Sequence, residues 1–257
     1  MMASAPLALP ASAQCLIRCR PDPVSAPKLF IMAANSILFA LIILSAAFGA
    51  ADISALGPRS HMAVWDNLGH VGKGADIASL SKQLELAAAL NPYDAEIIFD
   101  LGGLYEWKAQ NHSAWSAAAR ENRAIAIKQF RAAAVLRPSW SSAWAHLAYS
   151  KALDQQLDPE AMNALEKAMV FGPWKPMIQQ KVIWVGLVAW DQLPAHQRES
   201  IEKHVQRSLG DKRNGLRIIN LAVDLGREDV IRPFLETEWA NDSLETALSR
   251  RDRRAKI

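Results

Sequence analysis

The chain has 257 residues, a formal net charge of +3 and a hydrophobic fraction of 51%, enough apolar mass for a real core and too much for a disordered protein. Its basic residues form no stripe interleaved with aromatics, so composition gives no support to nucleic-acid binding. The two cysteines, Cys15 and Cys19, both precede the first apolar run and have no further ligands nearby, which excludes a disulfide scaffold within the folded part and reads as free thiols on a tail.

Residues 1–28 are rich in Ala, Ser and Pro, with Arg18, Arg20 and Lys28 among few charges, and read as a flexible cytoplasmic leader. Residues 29–51 carry no charge and are interrupted only by Asn35, Ser36 and Ser45. As a helix this run of roughly two dozen residues crosses a hydrocarbon core of ~30 Å. Arg18, Arg20 and Lys28 before it and Asp52 after it place the N-terminus in the cytoplasm and the rest on the far side, the periplasm of a bacterium. A cleaved secretory signal is the competing reading, with Ala47 and Gly49 at the small positions before a cut. The run exceeds the ~7–15 apolar residues of a signal, which favours a retained single-pass anchor in the inner membrane. Residues 52–75 read as a juxtamembrane linker, broken by Gly57-Pro58, Gly69 and Gly72-Lys73-Gly74, with room for one short helix at Ala63, Val64, Trp65 and Leu68.

Residues 76–240 carry the organising pattern. Ala78, Leu80, Leu84, Leu86, Ala87 and Leu90 recur at helical spacing up to Pro92. Asp94 then caps a helix with Ile97, Ile98, Leu101, Leu104 and Tyr105 on its apolar side. The series Ile98, Leu101-Gly102, Tyr105, Ala126, Phe130, Ala133, Pro138 is repeated as Trp144, Leu147-Ala148, Ala161, Leu165, Ala168, Pro173. This is the tetratricopeptide pattern, two antiparallel helices every ~34 residues. Gly102 and Ala148 allow close approach, the alanines face them, Phe130 and Leu165 fill the gap, and the prolines end helices. The first copy is stretched between Tyr105 and Phe130 by a helix-compatible insertion centred on 110–123, which maps to a loop or an extended helix on one face. Helices are expected at 124–136, 140–153, 159–171 and 194–209. Val182, Val185-Gly186 and Ala189 give a weaker echo, and 212–225 with 228–239 form a closing pair. Residues 241–257, with Arg250, Arg251, Arg253 and Arg254, read as a basic tail or fraying helix, a solvated end rather than a lipid contact. The fold class is thus all-α, a tetratricopeptide-like stack of antiparallel helix pairs preceded by one transmembrane helix.

No histidine pair has ligand spacing, so no metal site is expected, and nucleophile-elbow, Walker and dinucleotide motifs are absent. No cofactor is implied. A glycan-cleaving enzyme needs paired carboxylates facing one cleft, and Glu106 and Asp191 are the acidic groups that fall near the groove. Trp144 occupies a core position of the template, and Trp140, Trp174 and Trp184 read likewise. The inner-groove positions of the first helices fall at Phe99, Gly103, Glu106 and Trp107 in one repeat and at Ala145, Tyr149, Ala152 and Leu153 in the next. Phe99, Glu106, Trp107 and Tyr149 are therefore the candidate partner-binding residues.

The phrases Leu90-Asn91-Pro92, Asp100 to Lys108, Phe130-Arg131-Ala132-Ala133, Arg137 to Ala145, Ala161 to Ala168, Gly172-Pro173-Trp174 and Gly186 to Asp191 together resemble the small membrane-anchored tetratricopeptide proteins of the VpsP type. These accompany bacterial exopolysaccharide biosynthesis systems. The resemblance implies a non-catalytic scaffold or adaptor whose partners are proteins of a polysaccharide polymerisation and export complex, with no catalytic residues to carry over. Sugar contact is left open. The alternative from the residues alone is a general periplasmic peptide-binding adaptor in envelope assembly or cytochrome maturation.

Overall fold

The computed structural model describes residues 26–254. The cysteines and nearly all of the expected leader lie outside the described residues. Eleven helices follow in order, α1 (Ala26–Leu68), α2 (Ile77–Leu90), α3 (Ala95–Gln110), α4 (Ala117–Leu136), α5 (Ser141–Leu153), α6 (Pro159–Phe171), α7 (Pro176–Val188), α8 (Ala195–Leu209), α9 (Lys212–Asp224), α10 (Glu228–Ile231) and α11 (Glu238–Arg254), with no strand among the described residues.

The chain divides into two compact units at Ala46/Ala47. In the first, Leu29, Phe30, Ile31, Met32, Ile37, Leu38, Phe39 and Leu41 to Leu44 are all exposed. This N-terminal helix is long and apolar enough to cross a membrane. A helix apolar on every side has no polar face to turn to water, and hydrocarbon suits it.

In the second unit the expected linker at 52–75 is overturned. Helix continues through Gly57-Pro58 to Leu68. Ala51, Ala55, Met62 and Trp65 are buried in its core-facing stripe, with Pro58 among them. Proline inside a helix costs about 3 kcal/mol, and burying Met62 and Trp65 offsets it at about 1.5–3 kcal/mol each. Only 69–76 is a true connection. Gly69, with φ +73°, ends the helix in the left-handed conformation that glycine adopts without a Cβ penalty.

The repeat pattern is realised as helix pairs. Helix α3 packs on α4, α5 on α6, α7 on α8 and α9 on α11, with α5 on α7 and α7 on α9 joining successive pairs. Helix α2 packs on α3, and the 47–68 part of α1 approaches α2 at Gly57, where a Cβ would lie 3.1 Å from Gln83 Oε1. Side-chain caps start helices: Asp94, as expected, accepts from the amides of Glu96 and Ile97, and Ser116 accepts from Ala119 and Asp158 from Ala161. Ala126, Ala133, Ala161, Ala168, Phe130 and Leu165 are fully buried. A Cβ on Gly102 would lie 2.8 Å from the Phe130 ring, and one on Gly186 2.7 Å from Ile201. The weaker echo at Val185-Gly186 is therefore the same device, with Ile201 of α8 as the filler. Gly186→Val is expected to cost about 1–3 kcal/mol by overpacking against Ile201, read as a lower denaturation midpoint with unchanged helical ellipticity.

Two further expectations are corrected. The insertion near 110–123 takes the extended-helix form of the two expected, and it is the helix start that moves: α4 begins at Ala117 rather than at 124 and is joined to α3 by a short turn. The closing pair is not 212–225 with 228–239. Pro233 interrupts the second member after α10, and α11 takes over. The basic tail of 241–257 is this helix as far as Arg254. Ala240, Leu244 and Ala247 bury one stripe of α11 against α9, and Arg251 pairs with Glu228 at 3.1 Å.

Candidate functional site

In a stack of helix pairs, the first helices of successive pairs line one face. Here the 47–68 part of α1 together with α3, α5 and α7 encloses a cavity of about 470 Å³. All four predicted residues, Phe99, Glu106, Trp107 and Tyr149, line it, and so does Gly103. Ala145 and Ala152, also placed there by the template, are instead buried in the core. The hollow continues past Tyr149, Met177 and Lys181 into a second one of about 310 Å³ bounded by Gln180, Trp184, Arg217 and Leu221 of α7 and α9.

The gap exists because the stretched pair α3/α4 offers α4, not α3, as the main neighbour of α5. Side chains bridge α3 to α5 instead. The Phe99 ring lies 5.3 Å from Phe130, 4.7 Å from Trp140 and 4.9 Å from His146. One wall comes from α1. Trp65 meets Trp107 edge-on at 6.2 Å, Met62 closes over Gly103, and Arg59 Nε donates to Asp100. The tyrosine outside this wall, Tyr105, donates to Glu85 at 2.6 Å. Burial and that hydrogen bond push it up to about 12.

Glu106 is only 7% exposed and carries the electrostatics of the site. Ser150 Oγ donates to it and His146 Nδ1 meets it, each at 3.1 Å, and Lys181 Nζ donates at 3.4 Å. Burial works against its ionisation, but the Lys181 charge, His146 and these hydrogen bonds outweigh it and hold the carboxyl at about 2. His146 is lowered by its own burial and by Lys181, so the imidazole is neutral near pH 7 and donates as a neutral group. Lys181 also lies over the Tyr149 ring at 4.1 Å, and Tyr149 packs edge-on to Trp184 at 4.7 Å. Burial pushes the Tyr149 phenol up, so it stays a neutral donor.

Sequence reasoning missed Arg59, Asp66, His146, Met177 and Lys181. It placed Asp191 near the groove, whereas Asp191 is exposed on a short turn after α7 and pairs with Arg227. The acidic groups that do line the groove are Asp66, Asp100 and Glu106. Trp144 is core, its indole donating to the Pro138 carbonyl at 2.7 Å. Trp174, expected in the core, is 75% exposed, because it follows Pro173 outside any helix, where the Arg207 guanidinium lies 4.9 Å from its ring. Among the described residues no group of His, Cys, Asp and Glu has metal-holding geometry.

No family model matches the chain, and no curated protein matches it. Two crystal structures of MamA are similar in fold. One is 15% identical, covers 71% of this chain and 92% of its own, and has a TM-score of 0.45. The other is 14% identical, with 79% and 95% covered and a TM-score of 0.46. The paired-helix architecture rests on the packing described above, not on these likenesses.

Proposed function

We propose that this chain is a non-catalytic, membrane-anchored adaptor whose helical stack holds a segment of a partner protein in its concave groove. One observation carries the reading: α1, α3, α5 and α7 build a single hollow in which Phe99, Trp107, Tyr149 and Met177 are displayed around a centre whose charges, Glu106 with Lys181 and Arg59 with Asp100, are already paired. Rigid aromatics around desolvated polar groups are what a protein-binding surface uses for affinity. Glu106 is committed to Lys181, His146 and Ser150, so it serves to hold the groove's shape rather than to transfer protons.

The workplace proposed is bacterial exopolysaccharide biosynthesis and export. This part rests on the VpsP-type phrases of the sequence. The helix at 29–51 would be a single inner-membrane span, with residues after it in the periplasm, a placement supported by the charge asymmetry around it. The expected outcome of affinity purification from membranes is recovery of a polymerase, glycosyltransferase or export component. The double variant Trp107→Ala and Tyr149→Ala should lose that partner by about tenfold or more with helicity unchanged. Recovery of envelope-assembly or cytochrome-maturation proteins instead would favour the general peptide-binding adaptor. Retention of the same partner by the double variant would remove the groove from the account.

A further inference from the structure

Charge around the groove is compensated in the middle and uncompensated at the ends. Glu106 answers Lys181, and Arg59 answers Asp100. At the α1 end Asp66 is exposed and has no hydrogen-bond or ion-pair partner among the described residues. It is one of the residues that line the groove, on α1 between Met62 and the end of the helix. At the α9 end Arg217 borders the second hollow beside Leu221, exposed and likewise without a partner among the described residues. Between them the lining presented to an occupant is Phe99, Trp107, Tyr149, Met177 and Trp184.

Resting on the groove reading above, we infer that the occupant is an extended polypeptide segment with an apolar middle, a basic side chain at the end that meets Asp66 and an acidic side chain at the end that meets Arg217. Its length follows from the spacing of the first helices. Four steps at the ~8–10 Å of directly packed helices give a path of at least ~30–40 Å, since α3 and α5 do not pack directly, and an extended chain needs about twelve residues to cover it. A neutral glycan leaves both terminal charges unanswered, and a fatty acid, with a single carboxylate, answers Arg217 but not Asp66. A uniformly basic or uniformly acidic peptide answers one and is repelled by the other.

The test uses the full chain in nanodiscs and three fluorescently labelled twelve-residue synthetic peptides that share one Leu/Phe/Tyr middle. One is flanked by two lysines and two glutamates at opposite ends, one by four lysines and one by four glutamates. The peptide with both signs is expected to bind about threefold to fivefold more tightly than either of the others, the range of one exposed ion pair gained per end. Asp66→Lys is expected to shift the preference to the all-glutamate peptide and Arg217→Glu to the all-lysine peptide. The double reversal restores the preference for mixed charge, whichever direction the peptide runs. Equal binding of all three peptides would overturn this inference and leave the groove reading standing. Binding of none overturns both. Self-association of the chain that Asp66→Lys abolishes would name a second copy as the occupant and overturn the inference as well.

Discussion

Phe130→Ala is expected to lower stability by about 3–5 kcal/mol, the cost of emptying a fully buried aromatic position that its surroundings cannot close. The ring is wedged between α3 and α5. It lies against Gly102 so closely that a Cβ there would sit 2.8 Å from it, and its centroid is 5.3 Å from Phe99 and 4.9 Å from His146. The substitution therefore removes the floor under Phe99 and loosens one wall of the groove as well as the α3/α4 pair. A second change makes the claim specific. On the unaltered background Gly102→Ala should destabilise by about 1–3 kcal/mol through overpacking. With Phe130 already cut to alanine, the added methyl falls into the vacated space, and alanine brings up to about 1 kcal/mol of helix propensity over glycine. Gly102→Ala should then stabilise. A sign reversal of this kind, read from urea titrations followed by helical ellipticity, is the mark of two residues that share one volume. Additive losses would mean that Gly102 and Phe130 do not oppose each other and that the pair is packed differently.

The nesting of α3 with α4 and α5 with α6 was legible because glycine or alanine stands opposite a large filler at fixed spacing, and such a pattern has few other uses. The same physics hid the helix at 52–68. Its stripe of Ala51, Ala55, Met62 and Trp65 is contiguous with a run apolar on every side, so no change of period marks where the all-apolar run gives way to packed helix. Gly57-Pro58 then mimics a break that tertiary burial overrides. In α11 the buried positions Ala240, Leu244 and Ala247 are sparse among charges, and four arginines gave the segment the look of a tail. The groove was half legible. Phe99, Glu106, Trp107 and Tyr149 follow from where a first helix faces inward, which is a local rule. Arg59, His146 and Lys181 matter only through contacts between helices from different pairs. The register that would have placed Lys181 drifts after Pro173.

Glu106→Gln separates charge from shape at the centre of that groove. The carboxylate is held at about 2 against an ordinary 4.5, so its contribution is fully present above about pH 4.5 and is lost as pH falls through about 2. That displacement corresponds to roughly 3 kcal/mol at neutral pH, set by Lys181, His146 and Ser150 against the burial that opposes it. Glutamine keeps the volume and one acceptor but leaves Lys181 without its counter-charge. The variant should therefore be less stable by about 2–3 kcal/mol at pH 7. The gap should narrow steadily below about pH 4.5 and be nearly closed by about pH 2, where the native side chain is half protonated. Glu199→Gln, which removes an exposed carboxylate paired only with Lys203 one helical turn away, should leave the stability curve where it is. A constant gap between Glu106→Gln and the parent from pH 7 to pH 2 would show that the loss comes from packing. In that case the ionic network is not what holds α3, α5 and α7 around the groove, and the aromatic contacts of Phe99 and Tyr149 must do so alone.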